Sequence, residues 1–204
     1  MIPLLLVVLQ GTARYRVSVE GGGQGEARLT QTKRPEGGKT VRLVATLRRG
    51  NVALEIRSES TFDALGNPVR KSQGYGPVGR AASHETIVTF DEAGANAVVR
   101  EQGVPKASKI SLAKGLRRAN AAETWFVFSR PKVGEVAKAY TFDPDGLEWV
   151  PTETTYVGPT KGGNLLRIVR RDKKTEAIVD DAGVPVRIQD GGMRLERKSA
   201  NVKP

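Results

Sequence analysis

Apolar and polar residues alternate with a period of two along most of this chain. Tyr15, Val17 and Val19 alternate with Arg16 and Ser18; Val41, Leu43, Ala45 and Leu47 alternate with Arg42, Val44 and Thr46; Val52, Leu54 and Ile56 alternate with Ala53, Glu55 and Arg57. The same reading places strands over residues 86–90, 125–128, 136–142, 149–157, 165–169, 176–179 and 184–188. Such alternation puts one face of a strand against a core and the other in water. Gly, Pro, Asn and Asp separate the runs, as strand-linking turns require. The pattern predicts an all-β fold of about a dozen strands, a long antiparallel sheet curved into a half-barrel or open barrel.

One short motif recurs at the ends of these runs: an apolar residue, Asp, two variable residues, then Gly. It reads Phe62-Asp63-Ala64-Leu65-Gly66, Phe90-Asp91-Glu92-Ala93-Gly94, Phe142-Asp143-Pro144-Asp145-Gly146 and Val179-Asp180-Asp181-Ala182-Gly183. An Asp carboxylate can accept the backbone N–H groups just ahead of it, and Gly can take the positive φ that ends such a turn. Four hairpins of one meandering sheet follow from this. Asp143 and Asp145 have the spacing of the first two ligands of a calcium loop, but the later ligands and the distant Glu are missing.

A helical pattern occurs once, over residues 109–122. Leu112, Leu116 and Ala119 fall near one stripe and Lys109, Lys114, Arg117 and Arg118 near another. This predicts one short helix across the sheet, with a basic loop as the alternative. Residues 2–9, IPLLLVVL, form an uncharged apolar run too short to span a bilayer. Followed by Gly11-Thr12-Ala13, it reads as an export signal over residues 1–13 cleaved after Ala13, although no Lys or Arg precedes it. A buried native strand is the alternative. The remaining chain reads as one domain over residues 14–197 with a polar tail over 198–204.

Composition narrows the chemistry. The 204 residues contain no Cys and one His, which removes disulfides, thiolate chemistry and multi-histidine metal sites. Gly74-Tyr75-Gly76-Pro77-Val78-Gly79 spells a dinucleotide fingerprint but lacks the βαβ frame around it, so it reads as a glycine-rich β loop. His84 sits at the start of a strand, and no sharp serine turn accompanies it. The carboxylates, including Asp180-Asp181 and the pair Glu148 and Glu153, show no spacing that selects two of them for acid–base work. No catalytic residue, metal ligand or cofactor site is therefore assigned, and the chain reads as non-catalytic.

Two groups remain as candidate binding residues. The net charge is +11, concentrated late in the chain around Lys161, Arg167, Arg170, Arg171, Lys173 and Lys174. Such a surface attracts polyanions. The densest aromatic zone supplies Trp125, Phe126, Phe128, Tyr140, Trp149 and Tyr156, either as the principal core or as an apolar groove able to hold an acyl chain. Nucleic acid is a less favoured partner, because a sheet that stacks bases needs an aromatic platform and no nucleic-acid-binding signature is present.

The order of motifs resembles exported, β-rich bacterial domains of unknown function. The resemblance covers roughly residues 40–197 and rests on Ser72-Gln73-Gly74, the Phe90 hairpin, Trp125-Phe126, the Pro131 to Glu135 turn, the strand at Tyr156 and the closing Asp180 to Pro185 hairpin. It implies a curved antiparallel sheet similar to the half-barrels of the lipoprotein-localisation factors, which carry acyl chains in an apolar concavity. It implies no catalytic residue. The expected role is an extracytoplasmic β-sheet protein, periplasmic or secreted, that binds a lipid-like or anionic envelope component. A cytosolic nucleic-acid-binding β protein and a carboxylate-dependent hydrolase acting on sugars are the alternatives.

Overall fold

The computed structural model describes residues 11–113, 122–171 and 173–198. The strands are β1 Gly11–Val19, β2 Gly23–Lys33, β3 Lys39–Arg49, β4 Val52–Phe62, β5 Pro68–Pro77, β6 His84–Asp91, β7 Gly94–Glu101 and β8 Val104–Ser111. A helix, α1 Ala122–Ser129, is followed by β9 Val136–Asp143, β10 Glu148–Thr160, β11 Gly163–Arg170, β12 Lys173–Val179, β13 Pro185–Asp190 and β14 Met193–Arg197. All fourteen strands belong to one antiparallel sheet in the order β8-β7-β6-β5-β4-β3-β2-β1-β14-β13-β12-β11-β10-β9. Two meanders thus meet where the first strand pairs with the last. No helix among the described residues is long and apolar enough to cross a membrane.

The four Asp-to-Gly motifs are four of the hairpin turns, and three of them are built as the sequence predicts. Asp63 Oδ1 accepts the N–H groups of Leu65 and Asn67, Asp91 Oδ1 those of Ala93 and Gly94, and Asp180 Oδ1 those of Ala182 and Val184. Asp143 accepts only Asp145 N–H, at 3.1 Å. In that longer turn the positive φ falls on Leu147 (52°) rather than on the glycine.

A sheet of this length must twist and curl to cover its apolar face. Tyr15, Val17, Ala27, Ala45 and Leu195 form a buried cluster on the inner face, with Leu29, Leu43 and Ile56 against it. The register carries that face through Leu195, Ile188, Ala177 and Leu166 to Tyr156, Thr154 and Thr152 on β10. Phe142 and Trp149 lie by register on the opposite face of β9 and β10. Yet Phe142 is buried against Val88, Ala95 and Ala97, which belong to the inner face of β6 and β7. Trp149 also donates its indole N–H to the Ile110 carbonyl of β8, at 3.4 Å. The tip of the β9–β10 hairpin therefore turns its outer side to the inner side of β6–β8. The sheet shuts by overlapping itself, not by pairing edges β8 and β9. Gln73 Nε2 donates to Asp145 Oδ1 at 2.6 Å along this seam.

Two sequence expectations are corrected. Residues 125–128 are helix, not strand. A four-residue apolar run has no period of its own, and its length and surroundings must decide between helix and strand. Here the run is boxed in. Phe126 is buried against Leu166, Ala177 and Val179, and Ala122, Trp125 and Val127 pack around it. The helix stops at Arg130, whose N–H reaches the Phe126 carbonyl at 3.1 Å with φ at 47°, just before Pro131. The helix read over 109–122 is corrected at its start. Lys109 lies in β8, residues 114–121 fall outside the described chain, and α1 begins at Ala122. The signal read over 1–13 also falls largely outside the described residues. Within them, Gly11, Thr12 and Ala13 pair with Gln31, Thr30 and Leu29 as the first turnless stretch of β1.

Candidate anion-binding face

The outer face of β1–β4 is the polar half of the alternation that builds the core. Arg14 and Arg16 flank buried Tyr15; Arg28 follows buried Ala27; Arg42 lies three residues before buried Ala45. Pairing then aligns these isolated residues. Arg14 stands directly opposite Arg28, and Arg28 opposite Val44, two residues from Arg42. The face carries Arg14, Arg16, Arg28, Arg42, Arg48 and Arg57 against three carboxylates, Glu26, Glu55 and Glu59.

Each of those carboxylates is already engaged. Glu26 pairs with the Lys198 ammonium, Glu55 with Arg57, and Glu59 with Arg70 at 3.3 Å. The Lys198 contact, with Arg14 adding at longer range, holds the Glu26 carboxyl below the usual carboxylate range. Glu59 lies opposite Arg42 in the register yet reaches Arg70 instead. Among the described residues, Arg14, Arg16, Arg28, Arg42 and Arg48 thus have no ion-pair partner, and all five are exposed. Like charges directly opposed on a sheet repel. Arg14, Arg28 and Arg42 line a groove of about 910 Å³ whose other walls include Thr30, Thr32, Thr40 and Thr46. A second groove of about 900 Å³ lies over β13 and β14 and is lined by Arg16, Arg187, Lys161 and Lys198.

The cationic residues singled out in the sequence do not meet in one place. Lys161 lines the second groove. Arg167 and Lys174 share Glu176, at 3.4 and 2.9 Å, and hold its carboxyl below its ordinary range. Arg171 pairs with Glu148. Arg170 lies by register on the inner face with Thr152, while Lys173 is exposed at the hairpin tip. Lys71, from β5, is placed near Arg170, Asp143 and Asp145; burial, with Arg170 adding, pushes its ammonium below the ordinary lysine value.

The aromatic residues divide between two clusters. Phe126, Trp125 and Tyr156 pack together on the inner face of β10–β13, with the Phe126 and Tyr156 rings 5.3 Å apart. Trp149 joins Phe90 and Phe142 in the overlap seam. Tyr140 is half-buried on β9, and Phe128 is half exposed at the end of α1. His84 stacks on Tyr75 at 5.2 Å, contacts the Thr86 hydroxyl at 3.2 Å and lies 3.7 Å from Glu101. Asp180 is committed to its turn and to Arg197, and Glu153 to Lys138.

Arg14, Arg28 and Arg42 carried no local signal in the sequence, because each stands alone inside an ordinary alternating strand. Their regular spacing along three strands of similar length is the one trace of the cluster.

No protein-family model matches the chain, and no curated protein does. The solved β-barrel-like protein of the domain of unknown function DUF1849 from Brucella abortus is similar in fold, with a TM-score of 0.64 at 11% identity over 95% of this chain and 97% of that one. A DUF1089 family protein from Pseudomonas aeruginosa matches 78% of this chain and 87% of its own at 11% identity, with a TM-score of 0.45. The likeness to the first shows a common architecture: a long antiparallel sheet closed into a barrel-like roll, as in a bacterial domain of unknown function.

Proposed function

We propose that this protein is a non-catalytic, extracytoplasmic binding module that takes an anionic component of the cell envelope on the outer face of its sheet. The observation that carries this reading is the charge balance of that face. Five exposed arginines on the outer face of β1–β3 (Arg14, Arg16, Arg28, Arg42 and Arg48) have no carboxylate partner among the described residues, while every nearby glutamate is paired elsewhere. Uncompensated cations on a broad polar face raise the local concentration of polyanions over distances set by the ionic strength. The apolar concavity of β10–β13 argues less for a carried acyl chain, because the chain's own Phe126 packs into it. Nucleic acid fits less well than a polymer without bases, since the outer face of β1–β4 bears no aromatic side chain on which a base could stack.

The extracytoplasmic part of the proposal rests on the apolar run over residues 2–9 and the small residues after it. Cleavage after Ala13 leaves Arg14–Val19 of β1 to pair with both β2 and β14. N-terminal sequencing of the protein recovered from its own cells tests export: a start at Arg14 supports it and an intact Met1 contradicts it. Co-sedimentation with an anionic cell-wall polymer tests binding. The reading expects retention at low salt that falls steeply as salt rises, and no retention on a neutral polysaccharide. Equal retention on both polymers contradicts it.

A further inference from the structure

We infer that Arg14, Arg28 and Arg42 form a single built site for clustered phosphate groups of a linear polymer lying across β1, β2 and β3. The inference rests on the reading of the outer face as anion-binding and specifies which residues and which ligand chemistry are involved.

The first ground is energetic. Arg14 and Arg28 are directly opposed partners in the β1–β2 register. Cross-strand neighbours of like charge cost stability, whereas a Glu at either position would gain it. The same strands pair opposite charges two residues away, where Arg16 lies between Glu26 and Glu196. No carboxylate stands opposite Arg14 or Arg28 in the register, and the Glu59 that faces Arg42 is engaged by Arg70. A site that needs positive potential in the free protein has this form, and its ligand supplies the missing negative charge.

The second ground is the shape and chemistry of the walls. The three guanidinium groups share one groove with the hydroxyls of Thr30, Thr32, Thr40 and Thr46. Guanidinium forks match phosphate oxygens in pairs, and hydroxyls supply further donors without requiring a charge. The apolar lining is limited to Ala27 and Val44, so neither a stacked base nor an acyl chain is recognised there. The two carboxylates in the wall, Glu26 and Glu59, are held by Lys198 and Arg70 and so are neutralised in place. A groove that runs across strands, with guanidinium groups on three successive strands, suits a chain of phosphates better than one isolated ion. Strands lie about 4.8 Å apart, so guanidinium groups on neighbouring strands can reach different phosphates of one extended chain.

The test uses the full-length protein and inorganic polyphosphate as probe, with binding followed by isothermal titration at several salt concentrations. The variants are R14Q/R28Q, R42Q and, as control, R194Q, which removes an outer-face cation already paired with Glu196. The expected result is a loss of about tenfold or more for R14Q/R28Q, a smaller loss for R42Q and a change within about twofold for R194Q. The salt slope of the double variant falls by about two relative to the parent. The same double variant is expected to melt at a higher temperature than the parent, because the like-charge pair is gone. A structural role for the pair would lower it.

Equal losses for R14Q/R28Q and R194Q overturn the site while leaving the general anion-binding reading intact. If the parent binds neither polyphosphate nor any other polyanion, both fail together. Tighter binding through these arginines of oligothymidylate, or of phosphatidylglycerol vesicles, overturns the assignment of the ligand as a base-free polymer.

Discussion

The Tyr15 hydroxyl donates to the Pro185 carbonyl at 2.8 Å across 170 residues of chain, which ties β1 to the start of β13 over the intervening strand β14. The contact lies where the two meanders join. Tyr15 is 1% exposed and pairs in register with Arg197, whose guanidinium reaches Asp180 at 2.7 Å. The hydrogen bond thus bridges the two meanders, and the ion pair fixes β14 to the β12–β13 turn beside it.

Removing that hydroxyl leaves a carbonyl unsatisfied beside a buried ring. Y15F is expected to lose about 1–3 kcal/mol, seen as a lower midpoint in urea with an unchanged slope. The hydroxyl also gives stability a pH dependence. Burial, with Asp180 adding and Arg197 opposing, pushes its pKa from 10.0 up to about 12. Between those values the unfolded chain has released the phenolic proton and the native chain has kept it. Stability therefore falls as pH rises from about 10 toward 12. Urea titrations across that range check the slope, and Y15F should lack this component.

Gly25 and Gly22 predict losses of very different size from the same substitution. A Cβ at Gly25 would stand 1.8 Å from the Thr46 carbonyl oxygen of β3, so G25A forces the β2–β3 pair apart. The expected loss exceeds about 4 kcal/mol, enough to abolish a cooperative melting transition. Gly22 has open space around it and a φ of +95°, so G22A carries only backbone strain, about 1 kcal/mol. Thermal melts of the two variants side by side decide this.

Thr124 of α1 buries its hydroxyl without a hydrogen-bond partner among the described residues, while its methyl packs at the β4–β5 turn beside Gly66. T124V keeps the methyl and removes the stranded hydroxyl. It is expected to raise stability by about 1 kcal/mol, measured by chemical denaturation, whereas T124A, which loses the packing methyl as well, should not.

The four turn aspartates should rank by what they hold. Asp180 accepts two backbone N–H groups and anchors Arg197; Asp143 accepts one N–H. D180A is expected to cost about 2–3 kcal/mol and D143A about 0.5–1 kcal/mol. Equal losses would separate these turns from the logic of their hydrogen bonds.

Much of this fold was legible because alternation and turn chemistry report on the backbone directly. Tyr15, Val17, Leu43 and Ala45 mark their strands, and the Asp-to-Gly motifs mark their corners. Strands β2, β5, β7, β8 and β14 escaped the reading for physical reasons. Gly25 in β2 and Gly74 and Gly76 in β5 replace side chains where neighbouring backbone passes close by, which erases the period-two signal. Strand β8 is an exposed edge with Lys106, Lys109 and Pro105 in place of an apolar face. The overlap of β9–β10 inside β6–β8 was illegible because it depends on the accumulated twist of fourteen strands. The arginine cluster escaped for a related reason. Charge density along the chain pointed to residues 161–174, but most of those cations meet a partner or face different sides of the sheet. Arg14, Arg28 and Arg42 become neighbours only through register.

On the proposal above, this protein meets an anionic polymer on the outer face of β1–β3. Amide chemical-shift mapping of the isotope-labelled protein during a polyphosphate titration tests it most directly. Saturable shifts are expected on residues around Arg14, Arg28 and Arg42, with β9, β10 and α1 unmoved. Shifts centred on the residues 161–174 hairpins, or spread evenly over every exposed cation, would contradict it.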